Sequence, residues 1–133
     1  MEGNREQATG NSKINSYKDL KVWQKGMDIC AMAYEVTAEF PKEERYGLTA
    51  QIRDAATSIP SNVAEGYGRE SSGSYAQFLK IARGSLFELE TRILLSVRLG
   101  LVSHASVEHI LSETDQEKHM LSRLITKIEG FTS

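Results

Sequence analysis

Apolar residues along this chain recur every three or four positions in four separate segments, and no stretch alternates with period two for long enough to make a strand. The first segment runs from about Tyr17 to Phe40. Leu20, Trp23, Met27, Cys30, Tyr34 and Thr37 follow a 3-4-3-4-3 spacing, the seam of a coiled-coil-like contact. A second line, Val22, Gly26, Ile29, Ala33, Val36 and Phe40, runs beside it. Ser16 with Asp19 predicts a capped start, and Pro41 cannot continue the helix.

Lys42-Glu43-Glu44-Arg45 is expected to open the second helix, with its acids at the positive end of the dipole. Leu48, Ile52, Ala55, Ala56, Ile59 and Val63 mark its buried face, and Gly66 and Gly68 suit its end. The third helix should begin near Ser71 or Ser72 and stop at Gly100, with Tyr75, Leu79, Ala82, Leu86, Leu89 and Ile93 as its main seam. Phe87, Leu94 and Leu101 form another line, which makes the apolar band too broad for a simple surface helix. Ser103 caps the fourth helix, whose apolar side is Val107, Ile110, Leu111, Thr114, Leu121, Leu124 and Ile128. Short connections favour antiparallel neighbours. The fold class is therefore all-α, an antiparallel up-down-up-down four-helix bundle.

Pro60 stands inside the second helix. It deletes a backbone donor and presses its ring on the carbonyl of Ala56, at a usual cost of about 3 kcal/mol. The apolar line nevertheless continues through Val63, and Thr57, Ser58 and Ser61 supply hydroxyls for freed carbonyls. A proline-kinked second helix is expected; the alternative is two shorter helices meeting near Ser58. Asn62 and Glu65 follow on neighbouring turns and either anchor an interhelical network or face water.

The 133 residues fit one domain of ordinary soluble composition, 40% hydrophobic and 26% charged. The Gly-, Asn- and Ser-containing start suggests a mobile N-terminal arm over residues 1–16 ahead of a bundle domain over 17–133. No apolar run approaches a membrane span, and the start lacks a secretory h-region. A single cysteine, Cys30, rules out an intramolecular disulfide and suits a cytoplasmic protein with a buried, inert thiol. A net charge of -2 and a pI near 5.9 argue against a strongly basic nucleic-acid binder. Charge is nonetheless uneven: the third segment is basic and the fourth acidic.

Candidate chemistry is sparse. His104, His109 and His119 are five and ten residues apart, so they do not share a compact helical face, and no Glu-x-x-His pair exists. Phosphate-loop, dinucleotide and nucleophile-elbow signatures are missing as well. The sequence predicts no enzyme, no catalytic residue, no metal and no cofactor. Arg83-Gly84-Ser85 falls mid-helix, where small residues let two backbones approach.

The stretches "YKDLKVWQKGMDI", "FPKEERYGLTAQIRDAATSIPSNVAEGYGR" and "FLKIARGSLFELETRI" resemble the four-helix-bundle family of proteins encoded in 23S ribosomal RNA intervening sequences. The centre of the likeness is Ser58 to Gly66, which makes Ser58, Pro60, Asn62, Glu65 and Gly66 its structural motif. The resemblance implies a bundle that assembles as a ring-like homopentamer without known catalytic activity. It is similar in fold to the accessory proteins of diversity-generating retroelements, which are basic and associate with nucleic acid and a reverse transcriptase. Here Asp54 stands where the family often carries a second arginine. Arg53, Arg69, Lys80 and Arg83 remain as candidates for phosphate contact with RNA or DNA. The leading expectation is a non-enzymatic oligomeric scaffold. A nucleic-acid-binding accessory subunit and an adaptor for one protein partner are the alternatives.

Overall fold

In a computed structural model that describes residues 13–130, four α-helices follow one another: α1 (Lys21–Thr37), α2 (Leu48–Tyr67), α3 (Ser72–Arg98) and α4 (His104–Glu129). Each helix packs on its neighbours in the chain, and α1 closes the ring against α4. Paired residues across every seam run in opposite senses. Between α2 and α3, Gln51 meets Arg92 while Ser58 meets Ser85. Between α3 and α4, Lys80 meets Glu129 and Glu90 meets Lys118. The seam between α1 and α4 is the sparsest of the four.

The core is aliphatic and runs the length of the bundle. Ile29, Ile52, Ile59, Leu79, Leu86, Leu89, Ile93 and Leu121 are fully buried within it. Truncating one such side chain to Ala ordinarily costs 2–5 kcal/mol, so these residues dominate the stability. Buried hydroxyls bond back to their own helices: Thr37 donates to Ala33 O at 2.8 Å and Ser96 to Arg92 O at 2.9 Å. A buried carboxyl breaks the pattern. Glu117 is completely enclosed, and neither carboxyl oxygen has a hydrogen-bond partner.

The helix ends follow from local chemistry. Ser71 Oγ accepts from Ser74 N–H and Ser103 Oγ from Ser106 N–H, which caps α3 and α4. Gly100 adopts φ 77°, with Leu101 N–H donating to Ser96 O and Gly100 N–H to Val97 O. That reciprocal pair is the Schellman arrangement, and it requires a residue that tolerates the left-handed region.

Several expectations are corrected. Ser16 does form a capping box with Asp19, but the capped element is a short 3-10 turn over Tyr17–Asp19, and α1 begins after the extended Leu20. Ile14 is buried in the core just ahead of that turn. Residues 1–12, most of the expected arm, lie outside the described residues. Lys42–Glu44 forms a separate 3-10 turn, and α2 starts only after Gly47. Glu44 still serves α2, because its Oε1 accepts from Leu48 N–H at 3.4 Å.

α2 is one continuous helix through Pro60, not two helices meeting near Ser58. The neighbouring hydroxyls do not act on Ala56, the carbonyl that Pro60 leaves without its usual donor. Thr57 donates to Arg53 O and Asp54 O, Ser58 pairs with Ser85 across the seam to α3, and Ser61 is exposed. Asn62 donates to Ser58 O at 2.7 Å, and Glu65 is exposed beside Arg69. Neither anchors an interhelical network.

Gly66 lies inside α2 and does not end it. A Cβ there would sit 2.7 Å from Phe78 Cβ and 3.2 Å from Tyr75 O, so its bare backbone lets the start of α3 press against the end of α2. Phe78 Cβ and a backbone carbonyl cannot swing aside as a side-chain tip can. Gly66→Ala should therefore destabilise the bundle by about 1–3 kcal/mol, although Ala is the better helix former. Chemical denaturation followed by circular dichroism checks this; an unchanged or raised midpoint would show that the close approach carries no weight.

Candidate functional site

Of the two apolar lines on α1, the core takes the middle of one. Val22, Gly26, Ile29 and Ala33 are buried, whereas the other line is buried only at its ends, Leu20 and Thr37, with Met27 and Tyr34 46% and 43% exposed. Cys30 is half-buried, and burial pushes its thiol up from its ordinary value. On α3 the expected main seam is buried throughout, and the additional apolar residues face outward. Ile81, Leu94 and Leu95 are 42–45% exposed, Phe87 53% and Leu99 57%.

These outward residues do not scatter. At 100° per residue, Ile81, Gly84, Phe87, Thr91, Leu94 and Leu95 fall within less than half of the helix circumference. They form a stripe running about four helical turns. Gly84 lies within it, and a Cβ added there would meet nothing within 4 Å. Within the protomer, therefore, Gly84 does not serve the close backbone approach expected from the sequence, while Ser85 beside it is buried against Ser58 of α2. A shallow depression lined by Phe87, Glu88, Thr91 and Arg92 marks the middle of the stripe. Lys118 from α4 lies 4.4 Å from the Phe87 ring centre and also pairs with Glu90 at 3.1 Å, which holds one flank of the stripe in place.

The basic residues singled out from the sequence are dispersed and engaged. Arg53 donates to Thr37 Oγ1 at 2.9 Å and stacks on the Tyr34 ring, between α1 and α2. Arg69, near the C-terminal end of α2, pairs with Glu65 at 3.0 Å and covers Phe78. Lys80 pairs with Glu129, and Arg83 donates to Ser122 Oγ at 3.0 Å; both lie between α3 and α4. Arg53 and the Lys80/Arg83 pair thus occupy different grooves of the bundle.

Glu117 is the group that the apolar pattern of α4 missed. It sits three residues after Thr114 and four before Leu121, a register position that predicts burial for any side chain placed there. Its acidity disguised that signal. Burial pushes its carboxyl up to about 9; Lys25 opposes the shift and Glu113 adds to it. Lys25 is held by Glu113 at 2.7 Å, an ion pair whose side chains are both mostly buried.

A cavity of about 450 Å³ opens between α1 and α4, with Met32, Val36, Leu101 and Ile110 among its walls and Glu35, Glu39 and His109 on its polar rim. Among the described residues no three His, Cys, Asp or Glu side chains gather as they would around a metal ion. Among the same residues no helix is long and apolar enough to cross a membrane.

The comparisons with known proteins fit this architecture. No curated protein matches the chain. A crystal structure of a protein of unknown function from the S23 ribosomal protein family of Bacteroides thetaiotaomicron superposes with a TM-score of 0.70. It is 20% identical, and the match covers 78% of this chain and 97% of that one, a likeness that shows the shared fold. Residues 18–123 match the 23S rRNA-intervening sequence protein family, from the capped turn before α1 to the last turns of α4, and on that match the chain belongs to this family.

Proposed function

We propose that this protein is a non-enzymatic, oligomeric helical scaffold whose copies join through the outer face of α3, with five protomers closing into a ring. The observation that carries the reading is the exposed stripe from Ile81 to Leu95, interrupted by Gly84 and left uncovered by the protomer. A helix that buries one apolar face in its own core and exposes a second is suited to packing between two bodies. Gly84 would let a partner helix come close to the α3 backbone there.

The second apolar face strengthens the reading. Met27 and Tyr34 lie on α1, which is diagonal to α3 across the bundle, since each contacts mainly α2 and α4. Two different apolar faces on diagonal helices favour a head-to-tail contact, in which one copy's α1 face meets the next copy's α3 face. Such a contact closes into a ring when the rotation between copies is right.

Light scattering should give a mass five times the 14.8 kDa protomer; a strictly monomeric species at micromolar concentration would overturn the proposal. The double variant Phe87→Glu with Leu94→Glu should fall to protomer mass with unchanged helix content. Gly84→Leu separates folding from assembly. With open space around Gly84, the substitution should stabilise the isolated protomer by roughly 0.5–1 kcal/mol through helix propensity, yet weaken association. A Gly84→Leu variant that assembles like the wild type would place the contact elsewhere. Pro60→Ala restores a backbone donor to α2 and should disturb assembly more than helix content; an unchanged oligomer mass would show that the proline is incidental to association.

A further inference from the structure

Glu117 is fully enclosed on the sparsest seam of the bundle, with no hydrogen-bond partner for either carboxyl oxygen. A Cβ built on Gly26 of α1 would lie 3.4 Å from Glu117 Oε2, 3.2 Å from Ile59 Cγ2 and 3.5 Å from Pro60 N. The carboxyl therefore faces bare α1 backbone at Gly26, where Ile59 and Pro60 of α2 also close in. An ionised carboxylate in such a place would lack any compensating donor, whereas a neutral acid is tolerated.

Charged groups on the packed helices are paired elsewhere or exposed. From α1, Lys25 is held by Glu113, which lies one turn before Glu117 on its own helix. From α3, Lys80, Arg83 and Glu90 are held by Glu129, Ser122 and Lys118. From α2, Arg53 is held by Thr37 and the Tyr34 ring, and Asp54 and Glu65 are exposed. The histidines of α4 are exposed, with His104 and His119 beside Glu108 and Asp115. Lys25 favours the ionised form from a distance, but its ion pair with Glu113 leaves the Glu117 carboxyl without a direct donor.

We propose that Glu117 is a proton-linked latch on the seam between α1 and α4: its proton holds the seam shut, and parting of α1 from α4 hydrates the carboxyl and releases that proton to solvent. The sign follows from linkage. With the seam closed, the carboxyl keeps its proton up to about pH 9, against an ordinary value of 4.5 once it is hydrated. Below both values the closed and open forms are equally protonated and the latch is fully set. Between them the open form alone loses the proton, so opening becomes about tenfold more favourable per pH unit. Above the higher value the advantage of the closed form from this group is gone. Neutral pH lies inside the sensitive window, which makes the seam responsive where most carboxylates no longer titrate.

The test is native-state hydrogen exchange of the full chain, corrected for the intrinsic pH dependence of amide exchange. Opening measured at α1 amides from Val22 to Ala33 should rise about a hundredfold between about pH 6 and about pH 8. Amides buried between α2 and α3 should change much less. Glu117→Gln keeps the shape, the ion pair and all three histidines, and should abolish the slope. A flat wild-type response, or the same slope in Glu117→Gln, would overturn the proposal. A second measurement needs no variant: carbon-13 spectra of glutamate-labelled wild-type protein should show one carboxyl still protonated at neutral pH. Complete ionisation of the glutamates there would overturn it as well.

Discussion

How closely α2 can approach its neighbours is the constraint on which the bundle depends. At one end Gly66 removes the side chain that would collide with Phe78 and Tyr75, so α3 can turn back directly against α2. In the middle Gly26 of α1 faces Ile59 and Pro60, where the proline ring has replaced a backbone donor. The aliphatic core between these contacts is then continuous, because the helices are near enough for Ile52, Ile59, Leu79 and Leu86 to exclude water. Without both approaches the same apolar residues would leave cavities along α2.

The central polar contacts are arranged around that constraint. Ser58 and Ser85 join α2 to α3 about half a turn before Pro60, and Asn62 takes the Ser58 carbonyl, so local groups are satisfied beside the proline. The seam to α4 is different. Its buried carboxyl stays without a partner while the nearby Lys25 is held by Glu113, so the seam with the fewest contacts also contains the most conditional interaction. A latch placed between α2 and α3 would have to open against a far denser interface.

Much of this was legible in the sequence because helix periodicity reports burial directly. The faces of α2 and α3 were readable from apolar spacing, as were the caps at Ser71 and Ser103 and the stop at Gly100. The readings that failed had local rules competing with packing. On α1 two adjacent apolar lines were equally plausible, and only the position of its neighbours buries the one containing Gly26. Lys42–Glu44 has the charge pattern of a helix start, yet its residues form a 3-10 turn and the α-helix waits for Gly47. Gly66 looked like a terminator because close approach, a tertiary property, leaves the same residue type as a turn. Glu117 was hidden for the opposite reason: its register said core and its chemistry said surface. Within the stripe the residues themselves were legible, since Phe87 and Leu94 stood out as surplus apolar positions; which way they faced required the bundle.

The surplus apolar surface has a consequence for how family resemblance translates into function. Proteins with one apolar face per helix complete their cores internally, and their remaining surfaces are free to diversify. Here α1 and α3 each carry more apolar surface than the protomer covers, while α4 exposes mainly charged and polar side chains. The asymmetry matches a division of labour between helices on the proposed reading: α1 and α3 meet other copies, and α4 faces water and supplies Lys118 to steady Phe87 from the side. A basic strip on this chain would have to be built on the remaining surface, but Arg53 and Arg69 are stacked on aromatic rings, and Lys80 and Arg83 are tied to α4. The arginines here serve the packing of the bundle, and that use of their side chains favours a scaffold over a surface organised to grip a phosphate backbone.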